Sequence, residues 1–149
     1  MTRAMIVLIL MAFSIQAVAQ GNKPALEQLK EKKQTEKAAT VLRTLTQFHY
    51  RAGMDIPAGD SLFIDDGKLT TGIYRAALKA GIAIKAGEMT NVSKVTVLDF
   101  GIQIHLGKEN CSIIGFATDF ATEDKTAAQI AALAKKTLQA MFEVYPTAE

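Results

Sequence analysis

The chain begins with an apolar block, then changes hydrophobic period twice. Arg3 precedes ten unbroken apolar residues, Ala4 to Phe13, and Ser14 and Gln16 end the run. Ala17-Val18-Ala19 has the small-x-small form that signal peptidases accept, so residues 1–19 read as a signal peptide cut before Gln20. A helix crossing the bilayer core needs roughly 20 apolar residues. The run is much shorter, so no stable membrane span is expected after cleavage.

From Asn22 to Leu45 the spacing is helical. Asn22 can cap the helix and Pro24 falls in its first turn. Leu26, Leu29, Ala38, Val41, Leu42 and Leu45 supply the apolar positions, but Lys30 to Lys37 is polar throughout and predicts a solvated stretch. At Phe48 the period becomes two. Phe48, Tyr50, Ala52, Met54 and Ile56 alternate with His49, Arg51, Gly53 and Asp55, which predicts a strand with one face in water. Pro57-Ala58-Gly59-Asp60 turns the chain. Asp65-Asp66-Gly67 then joins Ser61–Ile64 to Lys68–Thr71, and one or two helical turns are expected over 73–79.

Val92–Leu98, Ile102–Leu106 and Cys111–Phe116 read as a three-stranded meander. A Phe100-Gly101 turn would pair Val97 with Ile104 and Val95 with Leu106. A Lys108-Glu109 turn would pair Leu106 with Cys111 and Ile104 with Ile113. That register gathers Val95, Val97, Ile102, Ile104, Leu106, Cys111 and Ile113 on one face. The other face carries Thr96, Gln103, His105 and Ser112 beside Leu98, Ile114 and Phe116. It therefore needs partial cover, which a C-terminal helix over about 122–145 is expected to give. Thr122 is its expected N-cap, and Ala127, Ile130, Ala131, Ala134, Leu138, Met141 and Tyr145 form its stripe.

Shifted by 28 positions, the sequence partly matches itself. Arg51 to Asp60 falls on Lys79 to Glu88 with five of ten residues identical, which suggests a repeated strand-turn unit. Ile56-Pro57-Ala58-Gly59-Asp60 resembles a strand-corner phrase found in small β folds of secreted and assembly proteins. The resemblance covers five residues and implies no activity. The fold class expected is α+β: a small, strongly bent antiparallel sheet or SH3-like β-barrel, a packed C-terminal helix, and an N-terminal helix outside. The domains expected are 1–19, signal peptide; 20–47, helix or linker; and 48–146, one β-rich domain.

Composition changes this picture little. Of 149 residues 49% are hydrophobic, which is globular, and the net charge is +2. Loss of residues 1–19 removes Arg3 alone and leaves +1. Residues 22–47 carry +3 of this, so a basic arm precedes a slightly acidic domain. Basic residues are not interleaved with exposed aromatics, so no nucleic-acid partner is expected. With one cysteine no internal disulfide can form, and Cys111 is either a buried thiol or a link between two chains.

Candidate chemistry is sparse. Two histidines and one cysteine predict no metal centre and no cofactor, and the register above puts Cys111 and His105 on opposite faces. No motif for a serine nucleophile, a dinucleotide or a Walker phosphate site is present. The polar face of the first strand is the candidate binding site, with Arg51 as an anion fork, His49 as a titrating donor and Asp55 beside them. The function expected is that of an exported, periplasmic or secreted, non-catalytic binding or assembly module for an envelope protein or surface polymer. Two alternatives stand beside it. One is a small hydrolase or lyase that gathers at least two of His49, Asp55, Asp99 and His105 in a pocket. The other is a structural homodimer through the N-terminal helix.

Overall fold

A computed structural model describes residues 25–107 and 110–147. The signal-peptide reading, the Asn22 cap, Pro24 and the Lys108-Glu109 turn lie outside the described residues. The chain divides into two compact units, Met1–Gln34 and Thr35–Glu149. Residues 25–45 are helical (α1). Within the first unit, residues 25–33 are exposed, as the polar stretch predicts. Within the second, Val41 and Leu45 are 0% and 1% exposed and belong to the core. The β domain therefore takes in the end of α1, upstream of the Phe48 boundary read from the sequence. Lys37, expected to be solvated, donates from Nζ to the carbonyls of Thr122 and Glu123 at 2.9 and 3.2 Å.

The second unit is α+β. Its strands are β1 (Phe48–Ala52), β2 (Ile56–Pro57), β3 (Gly59–Asp65), β4 (Ile82–Ile84), β5 (Met89–Thr90), β6 (Val92–Leu98), β7 (Gly101–Leu106), β8 (Cys111–Phe116) and β9 (Phe142–Pro146). Helices α2 (Thr71–Leu78) and α3 (Ala127–Gln139) and a 3-10 turn at Thr122–Asp124 complete it. The strands form three sheets, ordered β5-β1-β9, β2-β4 and β3-β8-β7-β6. Among the described residues no closed barrel is found, and β3 runs parallel to β8 rather than antiparallel. A parallel pair needs a long crossover, and everything from α2 to β7 lies between these two strands.

Alternation along the first strand holds through Ile56, but the chain bends at Gly53 and Met54, so β1 and β2 belong to different sheets. At the bend the Gly53 N–H donates to the Met141 carbonyl at 2.8 Å. The repeat has a structural counterpart. Ile56 and Ile84, which coincide under the 28-residue shift, are paired across β2 and β4. Gly59 and Gly87, also equivalent, have φ of +93° and +90°, a region that residues with a Cβ seldom enter.

In the meander, β7–β8 has the expected register, with Ile104 opposite Ile113 and His105 opposite Ser112. β6–β7 does not. Val97 faces Ile102 and Val95 faces Ile104, because the two-residue turn is Asp99-Phe100 rather than Phe100-Gly101. A slip of two residues preserves the face of every side chain, so the expected core survives. Ile102, Ile104 and Ile113 are 0% exposed and Leu106 1%; burying each such side chain stabilises the fold by about 1.5–3 kcal/mol.

The C-terminal region differs most from expectation. The N-cap of α3 is Thr126, whose Oγ1 accepts from the Gln129 N–H at 3.2 Å while Gln129 Oε1 accepts from the Thr126 N–H at 2.8 Å. This is a capping box. Thr122 instead joins its hydroxyl to the Leu98 carbonyl and its N–H to the Asp99 carbonyl, which fixes the β6–β7 turn. The helix ends at Gln139, because Phe142-Glu143-Val144-Tyr145 also alternates with period two and pairs along all of β1. Tyr145, assigned to the helix stripe, is thus on a strand and 40% exposed.

α3 packs on the wholly apolar face of the meander, not on the half-polar one it was expected to cover. A Cβ built at Gly115 of β8 would collide with Thr137 Oγ1 and lie 2.8 Å from the Thr137 Cβ. Gly115 faces Ile102 across the ladder and so shares the core face. Gly115→Ala is therefore expected to destabilise the protein by about 1–3 kcal/mol in urea unfolding. Adding Thr137→Ala should return part of that loss, since it removes the Oγ1 and Cγ2 atoms the new methyl meets while the Cβ contact remains.

Candidate functional site

Of the three residues proposed on the first strand, the structure keeps two together. His49 and Arg51 are exposed on β1, opposite Tyr145 and Glu143 of β9, and Arg51 faces Met89 of β5 on its other side. The Arg51 guanidinium stands 5.7 Å from the centroid of the Tyr145 ring, within cation–π range. The Tyr145 hydroxyl donates to Glu143 Oε2. That bond, with some desolvation and the carboxylate charge, raises the Tyr145 pKa, and Arg51 opposes the rise.

Asp55 does different work. Its Oδ1 accepts from the Ala86 N–H at 2.9 Å and its carbonyl accepts from the Tyr74 hydroxyl at 2.7 Å. The first repeat copy thereby fastens the turn of the second. The alternation of the sequence placed Asp55 with Arg51 because it carries no signal of the bend at Gly53.

A second arrangement lies on the face of the four-stranded sheet opposite α3. Here Lys94, His105 and Ser112 are directly paired across β6, β7 and β8. Asp60 of β3 ends the row. Both outer strands are irregular at this level: one register shift lies between Val92 and Lys94, the other between Gly59 and Leu62. Bulges re-aim side chains and recur beside functional sites. The row lines a concavity of about 310 Å³, at the small end of ligand pockets. Ser112 is 3% exposed and its Oγ accepts from Gln103 Nε2 at 3.0 Å. His105 Nε2 is buried with no hydrogen-bond partner among the described residues, and Lys94 has no ion pair among them. Burial lowers the His105 pKa, the Lys94 charge lowers it further, and Asp60 opposes both.

Sequence reasoning placed Gln103, His105 and Ser112 on this face but missed Lys94 and Asp60. The shifted β6–β7 register would set Lys94 opposite Gly107, and the parallel β3–β8 pairing has no local signal. None of His49, Asp55 and Asp99 lines the concavity. Asp99 lies in the turn at the other end of the hairpin, about 13 Å along β7 from His105. The gathering that a hydrolase or lyase would need is thus not formed there. Cys111 is 4% exposed, a buried thiol, and its register parity on β8 is opposite to that of Ser112, the residue paired with His105.

Among the described residues no cluster of three or more His, Cys, Asp or Glu side chains is placed to hold a metal ion, and no helix is long and apolar enough to cross a membrane. Compared with family models, with curated proteins and with solved structures, the chain finds no match.

His105 is expected to titrate below its ordinary value of 6.5 in an NMR pH series. Lys94→Met should move the midpoint up and Asp60→Asn should move it down. A depressed folded-state pKa means the unfolded chain binds more protons near pH 6. The His105 contribution to stability is therefore complete above about pH 6.5 and is lost as pH falls through the folded pKa. His105→Gln should flatten that part of the profile.

Proposed function

We propose that the chain is an exported, non-catalytic binding module whose partner is another envelope or secreted protein. The observation that carries the reading is the exposed strip of Arg51, Tyr145 and Met89, with His49 and Glu143 beside it, on the β5-β1-β9 sheet. Met89 and Tyr145 are 51% and 40% exposed. Arginine, tyrosine and methionine are the residue types enriched where proteins meet. Stacked on the tyrosine, Arg51 keeps its N–H fork available for a partner's carboxylate. β9 is also an edge of this sheet, which offers main-chain pairing to an extended segment. The apolar run after Arg3 and the Ala17-Val18-Ala19 site support export.

Export is tested by sequencing the N-terminus of the chain recovered from the envelope fraction of producing cells. Gln20 is the expected first residue, and an intact Met1 would count against the reading. For the strip, a photo-crosslinking residue at position 89 should give one discrete adduct in that fraction. Arg51→Ala with Tyr145→Ala should reduce it at least about tenfold. Asp55→Ala should lower the melting temperature and leave the adduct in place. An adduct indifferent to Arg51 and Tyr145 would remove the strip from the proposal.

A further inference from the structure

On the sheet face opposite α3, independently of the Arg51 strip, we propose that the Lys94–His105–Ser112–Asp60 row is a binding site for a small apolar amino acid in its zwitterionic form. Lys94 receives the carboxylate and Asp60 the ammonium group, over a floor formed by His105 and Ser112.

Four features of the geometry lead to this ligand class. The row is cationic at one end, anionic at the other and neutral in the middle, so a dianion or a dication is repelled at one end. Lys94 and His105 Nε2 both lack a partner among the described residues, although the imidazole nitrogen is buried. The two register shifts stand at the row's two charged ends, so the backbone departs from regular pleating where the charged side chains are presented. One step along the strands, about 6.6 Å away, the next row is Thr96, Gln103, Ile114 and Phe63. Phe63 is 40% exposed and packs edge-on against Phe116, with ring centroids 6.5 Å apart. An amino acid seated by its charged groups would therefore lay its side chain toward Ile114 and Phe63. Among the described residues no Phe or Tyr side chain lines the concavity, which disfavours a sugar.

The experiment follows the His105 imidazole resonances of the purified chain at pH 7 during additions of L-leucine, glycine, 4-methylpentanoate and 3-methylbutylamine. L-leucine should give a saturable shift. Glycine should bind about tenfold more weakly, for want of the side chain. The acid and the amine each hold one of the two charges and should also be at least tenfold weaker. Lys94→Met and Asp60→Asn alter exposed side chains, so the fold is retained, which circular dichroism checks; each should abolish saturation. The proposal is overturned if L-leucine gives no saturable shift. It is overturned equally if 4-methylpentanoate matches L-leucine, or if the shift persists in both variants. None of these outcomes bears on crosslinking through position 89, so the two proposals fail separately.

Discussion

The close approach of α3 to the meander is the constraint on which the rest of the structure depends. Gly115 and Thr137 meet where no other residue than glycine fits on the strand, and Gly101 lies so near the Gly115 carbonyl that it too has no room for a side chain. The missing side chain at Gly115 lets the helix settle onto the face that carries Ile102, Ile104 and Ile113. Thr137 satisfies its buried hydroxyl by donating to the Leu133 carbonyl at 2.8 Å, so the contact leaves no polar group stranded. α3 occupies that face, and the polar row and the aromatic patch lie on the opposite one.

α3 also determines what happens to β1. The helix stops at Gln139 and the chain returns at once as β9, opposite all five residues of β1. Lys135 of α3 stands 4.8 Å from the centre of the Phe48 ring, and Phe142 meets Tyr50 edge-on. Tyr50 then donates its hydroxyl to the Leu45 carbonyl at 2.6 Å, and burial pushes its pKa up to about 12. That carbonyl belongs to the last turn of α1, where helices lack internal partners. One side chain thus closes the helix, orders the strand and fixes the face on which Arg51 stands.

Much of this was legible from side-chain parity and little of it from register. The core faces of β1, β6, β7 and β8 follow from alternation alone, because burial demands that every second residue be apolar. The β6–β7 turn was misplaced by one residue, and the resulting slip of two changed no face, so nothing in the hydrophobic pattern could detect it. It did change the neighbours, and with them the only route to Lys94. The helix-to-strand switch at Met141 was hidden for a related reason: Met141 and Tyr145 fit the helical period, while Phe142 and Val144 fit the strand period. Asp55 parts from Arg51 because a bend at Gly53 leaves alternation intact while turning the side chain toward the Ala86 amide.

These observations also separate two kinds of surface. The Arg51 strip is held by side-chain contacts, a cation over a ring and a hydroxyl on a carboxylate, all exposed and each worth little alone. The Lys94–Asp60 row is held by the ladder itself. A one-residue slip in either outer strand would send its charge to the core face, where an unpaired ion is costly. The bulges at Val92–Lys94 and Gly59–Leu62 are therefore tied to the fold: the same irregularities that align the charges with His105 keep Val92 and Leu62, both 2% exposed, in the core. The ladder thus fixes the backbone positions of the row, while a ligand there would still have to order the exposed Lys94 side chain, as a partner on the strip would have to order the side chains it touches.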